Sequence, residues 1–268
     1  MAAAQLLRWH ADMGVDFAID EEPHDRLAEA SVPASTAGRP SPADAAPRAS
    51  RPAVAATPVA APTATPSDAA QAARSMARSA ASLDELRDLL GRFDGCALKT
   101  TAKSLVFADG NPQGRVMLVG EAPGAEEDRS GLPFVGRSGQ LLDRMLAAIG
   151  LDRTKVYIAN VIPWRPPGNR TPTPQEAAVC QPFIERQVEL ADPDILVCLG
   201  GPAAQSLLGI TEGILKSRGR WTSYDTGTRT IRAIATLHPA YLLRQPLQKR
   251  LAWRDFKAIR AALKERAA

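Results

Sequence analysis

Four acids, Glu121, Glu126, Glu127 and Asp128, crowd a short stretch that also carries one aromatic, Phe134, and closes with Gly136 and Gly139. Carboxylates at this density serve acid–base chemistry or form a solvated face, and a solvated face leaves the phenyl ring between Pro133 and Val135 without a role. Two further side chains of reactive type stand elsewhere: the amide of Asn160, and His238, which runs on into Pro239, Leu242, Leu243 and Arg244. The glycines do not build a phosphate cradle. No Gly-Lys-Ser/Thr follows them, as a P-loop needs, and the helix begins too late for a dinucleotide fingerprint.

Alternating strands and helices would position these residues. Residues 116–119 form an apolar run that reads as a buried parallel strand ending at Gly120, where the chain must turn. The acidic loop follows, and then Leu141, Leu142, Met145, Leu146 and Ile149 recur at helical spacing. A second strand at 155–161 holds Asn160 near its end and leads into a loop with five prolines, Arg165 and Arg170. Thr173 and Glu176 cap the next helix. Strands at 194–199 and 230–237, a small helix at 203–208, a basic stretch at 215–221 and a last helix at 248–266 complete the pattern. Upstream, Ser82 and Glu85 cap a short helix that ends at Gly91.

The expected fold class is α/β: a three-layer α/β/α domain around a central four-stranded parallel sheet. In such sheets ligands bind outside the carboxyl ends of the strands. The acidic loop, Asn160 and His238 should therefore share one rim.

The first quarter of the chain is compositionally foreign to the rest. Residues 31–67 are Ala, Pro, Ser and Thr without an aromatic, too poor in apolar surface to offset the entropy of ordering. The expected organisation is an amphipathic helix in 1–22 with Leu6, Trp9, Met13 and Phe17 along one side, a disordered linker over 23–70, and a catalytic domain over 71–268. A single such helix is marginal alone and should dock on a protein partner. Residues 1–70 hold 5 Arg against 9 Asp or Glu, net −4, and the remainder 28 basic against 20 acidic residues, net +8. The basic domain suits a polyanion. Three cysteines, no secretory signal and no bilayer-length apolar stretch point to a reducing cytoplasm.

An amide, an aromatic, carboxylates, a histidine and a leucine pair flanked by arginines are what an enzyme needs to extract a base from DNA and cut it off. The motifs GEAPGAEED at 120–128, GLPFVGRSGQLL at 131–142, the Asn160 strand followed by RPPGNR at 165–170, and HPAYLLR at 238–244 resemble, in order and spacing, those of family-4 uracil-DNA glycosylases. The resemblance covers roughly residues 83–262.

The resemblance implies a monofunctional N-glycosyl hydrolase in base excision repair, acting as a monomer on uracil-containing DNA, single- or double-stranded, and leaving abasic-site DNA. Glu121, Asp128 or Glu127 would orient the attacking water, and His238 with backbone N–H groups near Glu121 and Ala122 would stabilise the uracil anion. Phe134 would stack on uracil, Asn160 would read its polar edge, and Leu242 or Leu243 would wedge into the vacated stack with Arg244 on the phosphates. Arg137, Arg165, Arg170 and Arg218 are further phosphate contacts. No lysine lies in the motifs, which argues against an imine-forming lyase step. A tight binder of uracil or abasic-site DNA with little turnover is the alternative, and a hydrolase of free nucleosides a third reading. The family holds an iron-sulfur cluster on four cysteines. Cys96 and Cys180 match two of them, but Phe93 and Trp164 occupy the other positions and cannot bind iron, so no cluster is expected.

Overall fold

The computed structural model describes residues 66–265. The helix expected in 1–22, its protein partner and the linker as far as residue 65 lie outside the described residues. Helix α1 (Pro66–Ser79) begins inside the stretch assigned to the linker, so ordered structure starts ahead of the expected boundary at 71. Its sequence has no large apolar stripe, yet alanine is the best helix former, and Ala70, Ala73 and Ala77 are buried at helical spacing. These small side chains let α1 lie against the long helix Pro174–Ala191. Helix α2 (Leu83–Arg92) is capped as its sequence predicts: Ser82 Oγ accepts from the Glu85 N–H, and the Glu85 carboxylate accepts from the Ala81 N–H.

Helix α3 (Leu98–Thr101), β1 (Asp109–Gly110) and β2 (Val116–Gly120) follow. Of the acids after β2, Glu126, Glu127 and Asp128 lie not on an open loop but on a short helix, α4 (Ala125–Ser130), while Glu121 precedes it. Helix α5 (Arg137–Ala147) starts before Gly139 rather than after it. Next come β3 (Val156–Asn160), α6 (Pro174–Ala191), β4 (Ile195–Leu199) and α7 (Gly201–Leu208). The stretch read as merely basic holds α8 (Ile214–Ser217) and β5 (Trp221–Asp225). The chain closes with β6 (Thr230–Thr236), α9 (Pro239–Arg244) and α10 (Lys249–Glu265).

The four expected strands are present and parallel, but the sheet has six strands in the order β1-β3-β2-β4-β6-β5. Both edges are antiparallel additions, β1 on β3 and β5 on β6. Strand β5 escaped the sequence reading because an exposed edge strand needs no apolar run. The inner strands are buried on both faces. Met117, Val119, Leu196 and Cys198 point to the side of α1, α2 and α6, while Val116, Leu118, Ile195 and Val197 point to that of α5 and α10. The chain goes from β2 to one neighbour, β3, and then crosses to the other, β4. This reversal opens a crevice at the carboxyl end of β2.

Arg218, expected on a phosphate, is engaged inside the fold. Its Nε donates to Asp255 at 2.8 Å, its Nη2 donates to the same carboxylate and to the Leu251 carbonyl, and the Thr236 hydroxyl donates to Asp255 at 2.6 Å. Asp255 is 2% exposed; burial pushes its carboxyl up while Arg218 and Thr236 pull it down. The cluster ties α10 to the end of β6. Arg218→Ala would leave a buried charge alone and should lower unfolding free energy in urea by about 3–5 kcal/mol, with DNA affinity unchanged. Weaker DNA binding at an unchanged urea midpoint would return Arg218 to the phosphates.

Candidate active site

A cleft of about 530 Å³ opens at the carboxyl rim, and each inner strand delivers residues to it. Glu121 and Ala122 follow β2, Asn160 ends β3, Gly200 follows β4 and His238 follows β6. Phe134 joins them from the loop between α4 and α5, so the three side chains that had to converge do so.

Phe134 adopts φ +55°, the left-handed region that a bulky residue occupies at a cost of about 1–3 kcal/mol. Its ring and the Asn160 amide both lie over Gly120, where an added Cβ would sit 2.6 Å from the ring and 2.4 Å from Asn160 Oδ1. Asn160 is 5% exposed, and its Oδ1 has no hydrogen-bond partner among the described residues. Such an orphaned acceptor costs about 1–3 kcal/mol, and Asn160 lines the cleft, where a ligand N–H would complete it.

His238 is the N-cap of α9, and its Nδ1 accepts from the Ala240 N–H at 3.1 Å. The proton of the neutral ring therefore resides on Nε2, which can donate. Burial, aided by the Arg244 charge, lowers its pKa from 6.5 to about 4, against a small opposing pull from Glu127. The imidazole is thus uncharged at pH 7. Its ring lies 5.5 Å from that of Phe134, and Gly200 at φ +100° gives it room.

The three candidate carboxylates separate. Glu127 accepts from the backbone N–H groups of Gly124, Val135 and Gly136 at 3.1, 3.0 and 2.9 Å. Asp128 faces away from the cleft and accepts from Lys103 N and Ser104 N at 2.8 and 3.1 Å. Glu127 borders the cleft while holding the loop through these amides, whereas Asp128 is not among the lining residues. Glu121 lines the cleft, and burial raises its pKa.

The basic and apolar rim also sorts itself. Arg170 lines the cleft while donating twice to Glu176 at 2.9 and 2.6 Å, and Arg165 donates to Asn169 at 2.7 Å. Arg137 begins α5 and Arg244 ends α9, both exposed. Of the two leucines expected to supply the wedge, Leu242 is 0% exposed and packs with Leu141, Leu237 and Ala252, because the turn of α9 points it inward, and Leu243 is partly buried. The next leucine along the chain, Leu247, is 85% exposed on the 3₁₀ turn Pro246–Gln248. The Gln245-Pro246 helix break was the sequence signal for it. Tyr241 and Ser138 line the cleft without having been singled out.

The remnant of the cluster motif does not offer a cluster's donors. Cys96 and Cys180 are buried with their sulfurs 3.8 Å apart. Phe93 and Trp164 are buried too; the Phe93 ring folds over Gly95 and lies 5.1 Å from that of Phe183. Two thiols and aromatic hydrocarbon cannot replace four thiolates. No group of three or more His, Cys, Asp or Glu placed to hold a metal occurs among the described residues.

Fold and cleft together define an α/β protein with a partly polar cleft at the switch point of its sheet. A family model described as "Uracil DNA glycosylase superfamily" matches residues 107–257, and the chain belongs to that superfamily. Within it the chain is family-4-like. The "Type-4 uracil-DNA glycosylase" of Thermotoga maritima is 40% identical over 173 residues, 63% of this chain and 88% of that protein. That of Archaeoglobus fulgidus is 39% identical over 182 residues, 66% and 92% of the two chains. The "Type-5 uracil-DNA glycosylase" of Thermus thermophilus is 33% identical over 114 residues, 37% of this chain and 52% of that protein. No helix among the described residues is long and apolar enough to cross a membrane.

Proposed function

We propose that this chain is a uracil-DNA glycosylase that flips uracil out of DNA and hydrolyses its N-glycosidic bond, leaving an abasic site for base excision repair. The observation that carries the reading is the partnerless Asn160 Oδ1, buried beside Phe134. Uracil N3–H would complete that acceptor, and the amide N–H would donate to uracil O4. Cytosine presents the reverse pattern and would leave both groups unpaired, a mismatch worth about 10⁴-fold or more in discrimination.

Extrusion costs a few kcal/mol, roughly 1–3 of which stacking on Phe134 returns. Leu247, rather than Leu242, is the exposed apolar side chain suited to fill the vacated stack, with Arg244 and Arg137 on phosphates. As the bond breaks, negative charge develops on uracil O2. The Nε2–H of neutral His238 and backbone N–H groups at Glu121 and Ala122 would meet it. The Glu121 carboxylate would hold the attacking water and favour the cationic sugar.

Glu121 must be ionised for this, and its pKa is raised. The acid limb of the kcat profile should lie above the ordinary glutamate range, and Glu121→Gln should remove it while lowering kcat by about 10²–10⁴-fold. An unchanged profile in the variant would move the role elsewhere. The function is tested with uracil-containing single-stranded and duplex oligonucleotides followed by alkali. Strand breaks are expected. A retarded band without breaks would mean a binder, and inertness toward DNA would overturn the reading.

The donor set at Cys96, Cys180, Phe93 and Trp164 further supports a protein without the family's iron-sulfur cluster. Purified protein should carry no stoichiometric iron; a brown, iron-loaded preparation would overturn this.

A further inference from the structure

We propose that Arg153 is a positioning residue that holds Phe134 in its base-stacking conformation; this rests on the reading of Phe134 as the stacking ring. No motif contains Arg153, which begins the 3₁₀ turn Arg153–Lys155 ahead of β3. Its Nη2 donates to the Phe134 carbonyl, and its Nη1 donates to the Pro133 carbonyl at 3.2 Å. From behind, Asp109 on β1 accepts from Nη1 at 2.5 Å and Asp143 on α5 accepts from Nε at 2.8 Å. Two carboxylates thus fix the guanidinium, which in turn fixes two consecutive carbonyls.

On the far side of Phe134, Glu127 takes the N–H groups of Val135 and Gly136. The backbone is gripped by a cation on its carbonyls and an anion on its amides, with the left-handed residue between them. Helix α5 closes the third side. A Cβ on Gly139 would lie 1.6 Å from the Phe134 oxygen, so that oxygen is confined between α5 and Arg153. A strained φ persists only where its surroundings over-determine it, and here they do so on three sides. The product of this grip is a ring facing the cleft and His238. Lysine, a point charge without a planar fork, could not reach both carbonyls and both carboxylates.

The test is a double-mutant cycle on uracil release with Arg153→Gln, Phe134→Ala and both together. Arg153→Gln should lower kcat/KM by about 10²-fold, the cost of a misplaced contact. In the Phe134→Ala background the same change should cost little, because its route is already gone. Losses that multiply independently would overturn the proposal. Amide exchange supplies a readout apart from activity: Val135 and Gly136 should exchange faster in Arg153→Gln while β2 and β3 keep their protection. Loosening of the whole sheet would mean a merely structural role. Full recovery by Arg153→Lys would overturn the fork geometry. If the wild-type protein releases no uracil, the stacking reading fails, whereas unchanged exchange at Val135 and Gly136 refutes the grip itself.

Discussion

Asn160→Ala is expected to lower kcat/KM for uracil release by about 10³-fold, the loss that follows removal of an aimed hydrogen-bonding group in a dry site. The side chain is buried under the Phe134 ring, so truncation also leaves a small void, but the parallel pairing of β3 with β2 runs through backbone groups and survives. Binding to undamaged duplex, which depends on rim arginines and on salt, should not change. Asn160→Asp makes the sharper comparison. It replaces the amide donor by a second acceptor, opposing uracil O4 while suiting the amino group of cytosine. Unaltered uracil release in Asn160→Ala would remove the amide from the reading altogether.

His238→Gln should lower kcat by about 10²–10³-fold, since a donor aimed at the developing oxyanion is lost. The same variant should change how stability depends on pH. The folded-state pKa of about 4 lies below the ordinary histidine value of 6.5, so between these values the unfolded chain holds a proton that the native chain does not. The stabilisation is whole above pH 6.5 and is lost as pH falls toward 4, by up to about 3 kcal/mol at roughly 1.4 kcal/mol per unit. Urea titrations at pH 7 and pH 4.5 should show a smaller drop for the variant than for the wild type. Equal drops would mean that His238 is not held neutral. Because its charge is constant near neutrality, a rate limb found there belongs to another group.

The inner sheet was legible because strands covered on both faces are nearly continuous apolar runs, as at Val116–Gly120 and Ile195–Leu199. Helix α1 was not, since a face of alanines carries no contrast with its surroundings. The start of α5 was misplaced for a tertiary reason: Gly139 reads as a loop residue, yet it answers to the carbonyl of Phe134. Asn160, Phe134 and His238 could be selected by residue type and by their place after strands. Glu127 and Asp128 could not be separated from Glu121 in the same way, because their partners are backbone amides, which every sequence contains. Arg153 lies beyond pattern reading for the same reason, its main targets being two carbonyls and two acids distant in the chain. Helical phase, which a residue pair does not reveal, turns Leu242 inward, leaves Leu243 partly buried and puts the exposed Leu247 beyond the motif.

The aromatic packing at Phe93, Phe183 and Trp164 reaches beyond the site itself. A fold stapled by a bound metal has a stability that tracks the metal's concentration in the cell. Here the segment after α2 is joined to α6 by rings and by a hydrogen bond from the Cys180 thiol to the Cys96 sulfur, none of which a chelator can withdraw. If the domain binds no cluster, as proposed above, an organism starved of iron would keep it assembled.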